Sequence, residues 1–166
     1  MVDIAGWRVE RLPISHPDAD LLVEEVQEEY VRRYGSRDET PMQPGFFDAP
    51  LGAFFVGYLE DKPAVTGAWR RRTDVVVEGT SATAEVKRMY VAPRARGLGL
   101  ARAMLAHLEA TAHESGADVM VLETGQRQPE AIALYESAGY ARIPGFGFYK
   151  DAPLSRCYAR RIDGRG

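Results

Sequence analysis

The chain has 166 residues, a mass of 18.4 kDa and a formal net charge of -3. At roughly 150 residues per domain this is one domain, 1–166, long enough to bury a core without staples. The negative balance excludes a general electrostatic pull on nucleic acid. The single cysteine, Cys157, excludes an intrachain disulfide. The longest apolar run, LGAFFVGYL from Leu51, falls far short of the ~20 residues that span a bilayer. MVDIAGWRVERL carries no basic segment followed by an apolar one, so no secretion signal is expected and the chain reads as cytoplasmic.

In chain order, Trp7 to Leu12 reads as a short strand. Pro17 suits a helix start, and Asp18 and Asp20 complement the helix dipole in its first turn. Leu22, Val26, Tyr30 and Tyr34 recur at helical spacing up to Gly35, a stop. Ser36 to Pro50 reads as a loop with one helical turn. Ala53 to Leu59 and Ala64 to Arg70 read as a hairpin around the turn Glu60-Asp61-Lys62-Pro63, with Val75 to Glu78 extending the second strand past a kink. Thr83 to Val91 is the next strand. Leu98 to Ser115 is a helix whose Leu98, Ala101, Leu105, Leu108 and Ala112 share one face. Val119 to Thr124 is a near-continuous apolar strand of the buried kind. Pro129 to Ala138 is a short helix, and Tyr140 to Ile143 and Arg156 to Ile162 are the last strands. This order predicts an α+β fold with α/β-like layering, one central sheet carrying helices on its faces.

The most informative stretch is AEVKRMYVAPRARGLGLARAMLAHLEA from Ala84. A strand ends at Val91-Ala92-Pro93, and Arg94, Gly97 and Gly99 form an Arg-x-x-Gly-x-Gly turn before a helix. The first amides of a helix have no internal partner, and the dipole adds positive charge there, which favours an anion. Glycines let a phosphate approach the backbone. Arg94 and Arg96 add charge at the rim. The same glycines also suit a tight strand-to-helix turn with no ligand. The stretch lacks the Lys-Ser/Thr of a P-loop and the third glycine of a dinucleotide fingerprint, where Arg102 stands.

These residues resemble the GNAT superfamily of N-acetyltransferases. Its hallmark turn stands here as Val91-Ala92-Pro93 followed by Arg94 to Gly99, and a second family motif follows as Ala131-Ile132-Ala133-Leu134-Tyr135 with Gly139-Tyr140. Thr83 to Ala141 matches closely. The resemblance implies a mixed, mostly antiparallel sheet of about six to seven strands with helices on both faces, and acetyl-CoA as cosubstrate. It implies that the pantetheine arm pairs with backbone near Met89 and Val91. The pyrophosphate would sit on amides of Arg96, Gly97, Gly99 and Leu100. The strands carrying Val91 and Val119 would splay apart between them. Gln128 stands where many members carry an asparagine that touches the cofactor.

The implied reaction is direct attack of a primary amine on the thioester, which needs a general base for the ammonium proton and an acid for the departing thiolate. Tyr135 is the family-matched acid, and it also fits a core face with Ala131, Ile132 and Ala138. Two carboxylates compete as base: Glu85, six residues before Val91, and Glu123, twelve before Tyr135. Each also suits a salt-bridged strand position, Glu85 beside Lys87 and Arg88.

Cys157 has no nucleophile's partner at a known spacing and reads as a small buried residue. His16, His107 and His113 form no metal-ligand pattern, so no metal is expected; His107 and His113 read as exposed.

Acceptor sites in the family draw on segments that here are Asp18 to Tyr34, Arg37 to Phe47 and Ile143 to Tyr149. Glu24, Glu25, Glu28 and Glu29 form an acidic cluster that reads either as an amine attractor or as a solvated face with the helical pairs Glu28-Arg32 and Glu29-Arg33. Phe46, Phe47, Phe146 and Phe148 suit an apolar pocket wall, with Gly145 and Gly147 letting that loop move. The acceptor reads as a small-molecule or peptide amine, and an edge strand offers a route to a homodimer. A non-catalytic CoA-binding module of the same fold is the alternative. A helix-based nucleic-acid binder is weak, because the Leu98 helix pairs Arg102 with Glu109 and Glu114.

Overall fold

The computed structural model describes residues 4–38, 44–146 and 149–164. Seven strands among them form one sheet in the order β1-β2-β3-β4-β5-β7-β6. They are β1 (Trp7–Arg11), β2 (Gly52–Leu59), β3 (Lys62–Arg71), β4 (Thr83–Val91), β5 (Val119–Gly125), β6 (Ala141–Ile143) and β7 (Ser155–Arg161). Neighbours run antiparallel except β4 and β5, which are parallel. The fold is therefore the α+β mixed sheet that the resemblance implied.

Helices cover both faces because the strands alternate. Phe54, Val56 and Tyr58 of β2 meet Ala19, Leu22 and Val26 of α1 (Pro17–Tyr34) on one side. On the other, Phe55, Val65, Trp69, Val86 and Leu122 meet Leu100, Met104, Leu105 and Leu108 of α2 (Leu100–Glu114). Next to α2 lies α3 (Pro129–Ser137), whose Tyr135 joins the same core. Gly67 permits this approach: a Cβ there would stand 2.7 Å from Met104 Cγ. The α1 helix is capped by His16, whose Nδ1 accepts from the Asp18 amide at 3.1 Å, and it stops at Gly35 with φ 81°.

Three local expectations need correction. The hairpin turn is only Glu60-Asp61, both left-handed (φ 50° and 66°), and Lys62 and Pro63 already belong to β3. Val75 to Glu78 does not extend a strand. Glu78 and Gly79 both take positive φ, folding Val77 back onto Thr80 as an isolated bridge, while Val75 packs on Val119 and Val121. His107 is half-buried, not exposed: its ring meets Phe55 edge-on at 4.6 Å. The expected helical turn in the loop after α1 is a single 3-10 turn, Pro44–Phe47.

The feature that positions the site is a split at the sheet's centre. The strands β4 and β5 pair only from Thr83–Val119 to Glu85–Val121. Beyond that, β5 continues along β7 to Gly125–Ser155, and β4 continues along β3 to Val65–Val91. A bulge bends β4 within its open half. The β3–β4 register shifts between Thr66 and Ala68, Arg88 takes φ 55°, and the Thr66 hydroxyl donates to the Arg88 carbonyl at 2.6 Å. A V-shaped gap results. Among the described residues no helix is long and apolar enough to cross a membrane.

Candidate active site

The mouth of the gap faces the N-terminus of α2. Gly97 and Gly99 both adopt φ 80°, a conformation that disfavours any side chain, and a Cβ on either would meet nothing within 4 Å. The turn therefore presents bare backbone to open space. Next to it lie the first-turn amides of α2, which have no acceptor within the helix. A cradle of this kind fits the phosphates of a nucleotide-bearing cofactor.

From this turn a groove of about 670 Å³ runs down between β4 and β5. It brings together Met89, Val91, Arg96, Gly97, Gly99 and Leu100 at the mouth and Glu123, Gln128 and Tyr135 further along. A second cavity, of about 340 Å³, adjoins it on the α1 side of the sheet. Tyr30, Asp38, Lys87, Glu123, Thr124 and Gln128 line both. Period-two alternation explains this placement: Leu122 joins the α2-side core, so Glu123 turns towards α1.

Two residues that the sequence singled out lie outside the groove. Arg94 does not line it; its guanidinium donates to the Pro63 carbonyl and pairs with Glu25 at 3.8 Å. Glu85 lines neither cavity. It sits at the closed end of the gap, 2% exposed, held by Arg70 Nε at 3.2 Å, Arg72 at 2.8 Å and Lys87 Nζ at 3.7 Å. Its oxygens are engaged by three cations, away from both cavities.

Glu123 sits differently. Partial burial raises its pKa above the ordinary carboxylate value, a backbone hydrogen bond from Tyr149 opposes this, and Glu85 nearby raises it further. Cys157 Sγ donates to Glu123 Oε2 at 3.8 Å, so the buried cysteine of β7 touches this carboxylate. Tyr135 is 5% exposed, and burial pushes its phenol well above the usual value, so it keeps its proton at neutral pH. Its ring stacks edge-on against Tyr140 at 5.7 Å. Burial pushes Tyr30, on the facing helix, up to about 12.

The acidic cluster of α1 is largely spent on structure. Glu24 holds Arg37 at 3.0 Å, Glu25 accepts from Tyr90 at 3.2 Å, and Glu29 holds Arg33 at 3.5 Å and Arg96 at 3.0 Å. Arg33 also reaches Glu130 and the Arg127 carbonyl at 3.2 Å, clasping α1 to the start of α3.

The expected phenylalanine wall is not what lines the cavities. Phe47 packs on Phe54, while Phe46 and Phe146 stack on Arg70 and Arg72. Phe148 and Gly147 lie outside the described residues. The aromatic wall is Tyr30, Tyr34 and Tyr149 instead. Their signal was in the helical stripe Leu22-Val26-Tyr30-Tyr34, where two tyrosines replace aliphatics at the end nearest Gly35. Among the described residues no group of three or more His, Cys, Asp or Glu side chains gathers to hold a metal.

The sequence pattern of the acetyltransferase (GNAT) family matches residues 21–140, which includes the turn, both splayed strands and α3. The chain belongs to that family. It is 40% identical over 102 residues to an IAA acetyltransferase of Azospirillum brasilense, a match covering 57% of this chain and 66% of that protein, just under two thirds of its length. Among solved structures it resembles an acetyltransferase of Streptococcus agalactiae, with TM-score 0.69, 18% identity and 95% and 99% of the two chains covered. It also resembles the ribosomal-protein-S18-alanine N-acetyltransferase of Escherichia coli, with TM-score 0.63, 20% identity and 96% of each chain covered. At these identities the structural likenesses are ones of fold. This acetyltransferase fold holds the gap and the glycine turn together.

Proposed function

We propose that this GNAT-family chain moves an acetyl group from acetyl-CoA directly to a primary amine. The observation that carries the reading is the split between β4 and β5, which opens onto the bare-backbone turn at Gly97–Gly99 and has Glu123 and Tyr135 along it. Arg96, Gly97, Gly99 and Leu100 hold the pyrophosphate, and open backbone near Met89 and Val91 pairs with the pantetheine arm. The Gln128 side chain lines the groove where it can reach that arm. Acetyl-CoA supplies an activated acyl group on a good leaving thiolate.

Glu123 takes the ammonium proton of the acceptor, directly or through one water. Its raised pKa narrows the gap to an amine at ~10, which eases that transfer. Tyr135, protonated in its buried setting, donates to the departing sulfur. The acceptor occupies the 340 Å³ cavity, a volume in the range of small-ligand sites.

Titration calorimetry with acetyl-CoA and with free CoA tests the reading. Micromolar binding of acetyl-CoA is expected, and Gly97→Asp, which sets a carboxylate where the phosphates dock, weakens it by on the order of 100-fold while the protein stays folded. Full affinity in Gly97→Asp, or no binding to the parent protein at millimolar ligand, would overturn it.

A further inference from the structure

Arg88 is out of keeping with the arginines around it. Arg33, Arg70, Arg72, Arg94 and Arg96 each hold a carboxylate. Arg88 holds none among the described residues, yet its Nε and one terminal nitrogen are buried and have no hydrogen-bond partner. Buried polar groups are nearly always paired, and an unpaired guanidinium is among the most unfavourable groups to bury. The bulge explains how it comes to lie there. Tyr90 joins the α1-side core, so Arg88, two residues earlier, faces α1 as well, and the extra residue at the register shift puts it on the same side as Lys87. The positive φ of Arg88 is strain that the fold keeps at this position.

Its surroundings define what it would bind. Arg88 lines the groove beside Lys87 and Tyr30, and these two neighbours also line the smaller cavity. The smaller cavity is walled by Tyr34, Pro153 and Leu154, and the buried Tyr34 hydroxyl has no hydrogen-bond partner among the described residues. Glu123, the base of the acetyl-transfer reading, lines both cavities. The junction thus offers Glu123 for an ammonium, with a second carboxylate, Asp38, also on its lining, the Arg88 guanidinium for an anion and a largely apolar wall for a side chain.

We propose that Arg88 docks a carboxylate of the acceptor, so that the acetylated amine belongs to an amino-carboxylate with an apolar or aromatic side chain. This rests on the acetyl-transfer reading above. A guanidinium donates charge-assisted hydrogen bonds to a carboxylate, which fix orientation as well as affinity. The anion would leave the amine facing Glu123 and the side chain against the tyrosine wall.

The test compares L-phenylalanine and L-leucine with their amides as acceptors, in the parent protein and in Arg88→Gln and Arg88→Lys. The acid-to-amide ratio of kcat/KM is taken in each protein, which cancels the intrinsic reactivity of each amine. That ratio should fall at least 10-fold in Arg88→Gln and partly recover in Arg88→Lys, while the Kd for acetyl-CoA stays within twofold. A second measurement needs no turnover: 3-phenylpropionate, an anion with no amine, should bind the CoA-loaded parent in calorimetry and lose at least 10-fold in Arg88→Gln. An unchanged ratio overturns the proposal, as does an equal loss for acid and amide, which would put Arg88 on the thioester. Absence of 3-phenylpropionate binding at millimolar concentration also overturns it. Failure of the acetyl-transfer reading looks different: acetyl-CoA does not bind, or no amine is acetylated.

Discussion

At the scale of single residues, the choice between Glu123 and Glu85 shows how surroundings assign roles to identical side chains. Both project to the α1 side of the sheet, yet burial with partial solvation raises the pKa of Glu123, whereas Glu85 is clamped by Arg70, Arg72 and Lys87. A raised folded pKa means that ionising Glu123 opposes folding. Its stabilising contribution is present at acid pH, below the ordinary carboxylate range, and is lost as pH rises through the raised value. Glu123→Gln should therefore melt at a higher temperature than the parent near neutral pH, with the difference vanishing at acid pH. Its turnover should fall by on the order of 10²–10⁴-fold. The pH–rate profile of the parent should show a lower rising limb from Glu123 and a higher one from the amine at ~10. Only the lower limb should vanish in the variant, and a surviving lower limb would remove Glu123 as the base.

At the scale of elements, the acceptor cavity exists because the last turn of α1 lies directly on the end of β5. A Cβ on Gly125 would stand 1.9 Å from the Tyr34 hydroxyl, so the close approach depends on glycine there. Gly125→Ala should push Tyr34 aside, destabilise by about 1–3 kcal/mol in a denaturant titration and raise the acceptor KM. Acetyl-CoA binding, made further along the groove, should stay unchanged; its loss would mean that the two cavities are not separable. This contact is of a kind that sequence hides. The strands, helices and glycine turn were legible because each is a local pattern: apolar periodicity, Pro and Gly stops, a strand-to-helix turn. The Val75–Glu78 run failed because β-branched residues read as strand until Glu78 and Gly79 turn it back. Tyr30, Tyr34 and Arg88 were missed because their roles arise from non-local packing and from a bulge that has no periodic signature.

At the scale of the whole molecule, a sheet that is split must also be held shut somewhere, and Glu85 is placed to do this. It lies in the three-residue stretch where β4 and β5 still pair. Its carboxylate gathers Arg70 from β3, Arg72 just beyond β3 and Lys87 from β4, and Arg72 reaches on to Asp74 at 2.7 Å. Phe46 and Phe146 cover two of these guanidinium groups, shielding the cluster from water. The arrangement ties β3 and β4 at the sheet's closed end to the loops that carry Asp74, Phe46 and Phe146, leaving the other end free to open. Replacing a buried partner of such a cluster strands the opposing charges, which costs about 3–5 kcal/mol. Glu85→Gln should thus lower the stability measured by cooperative unfolding by that much, and by far more than Glu123→Gln changes it at any pH. Residual turnover per folded molecule should retain the parent's lower pH limb, since Glu123 is intact. A Glu85→Gln protein of full stability that lacks that limb would reverse the two assignments, making Glu85 the base and leaving the closed end held by strand pairing alone.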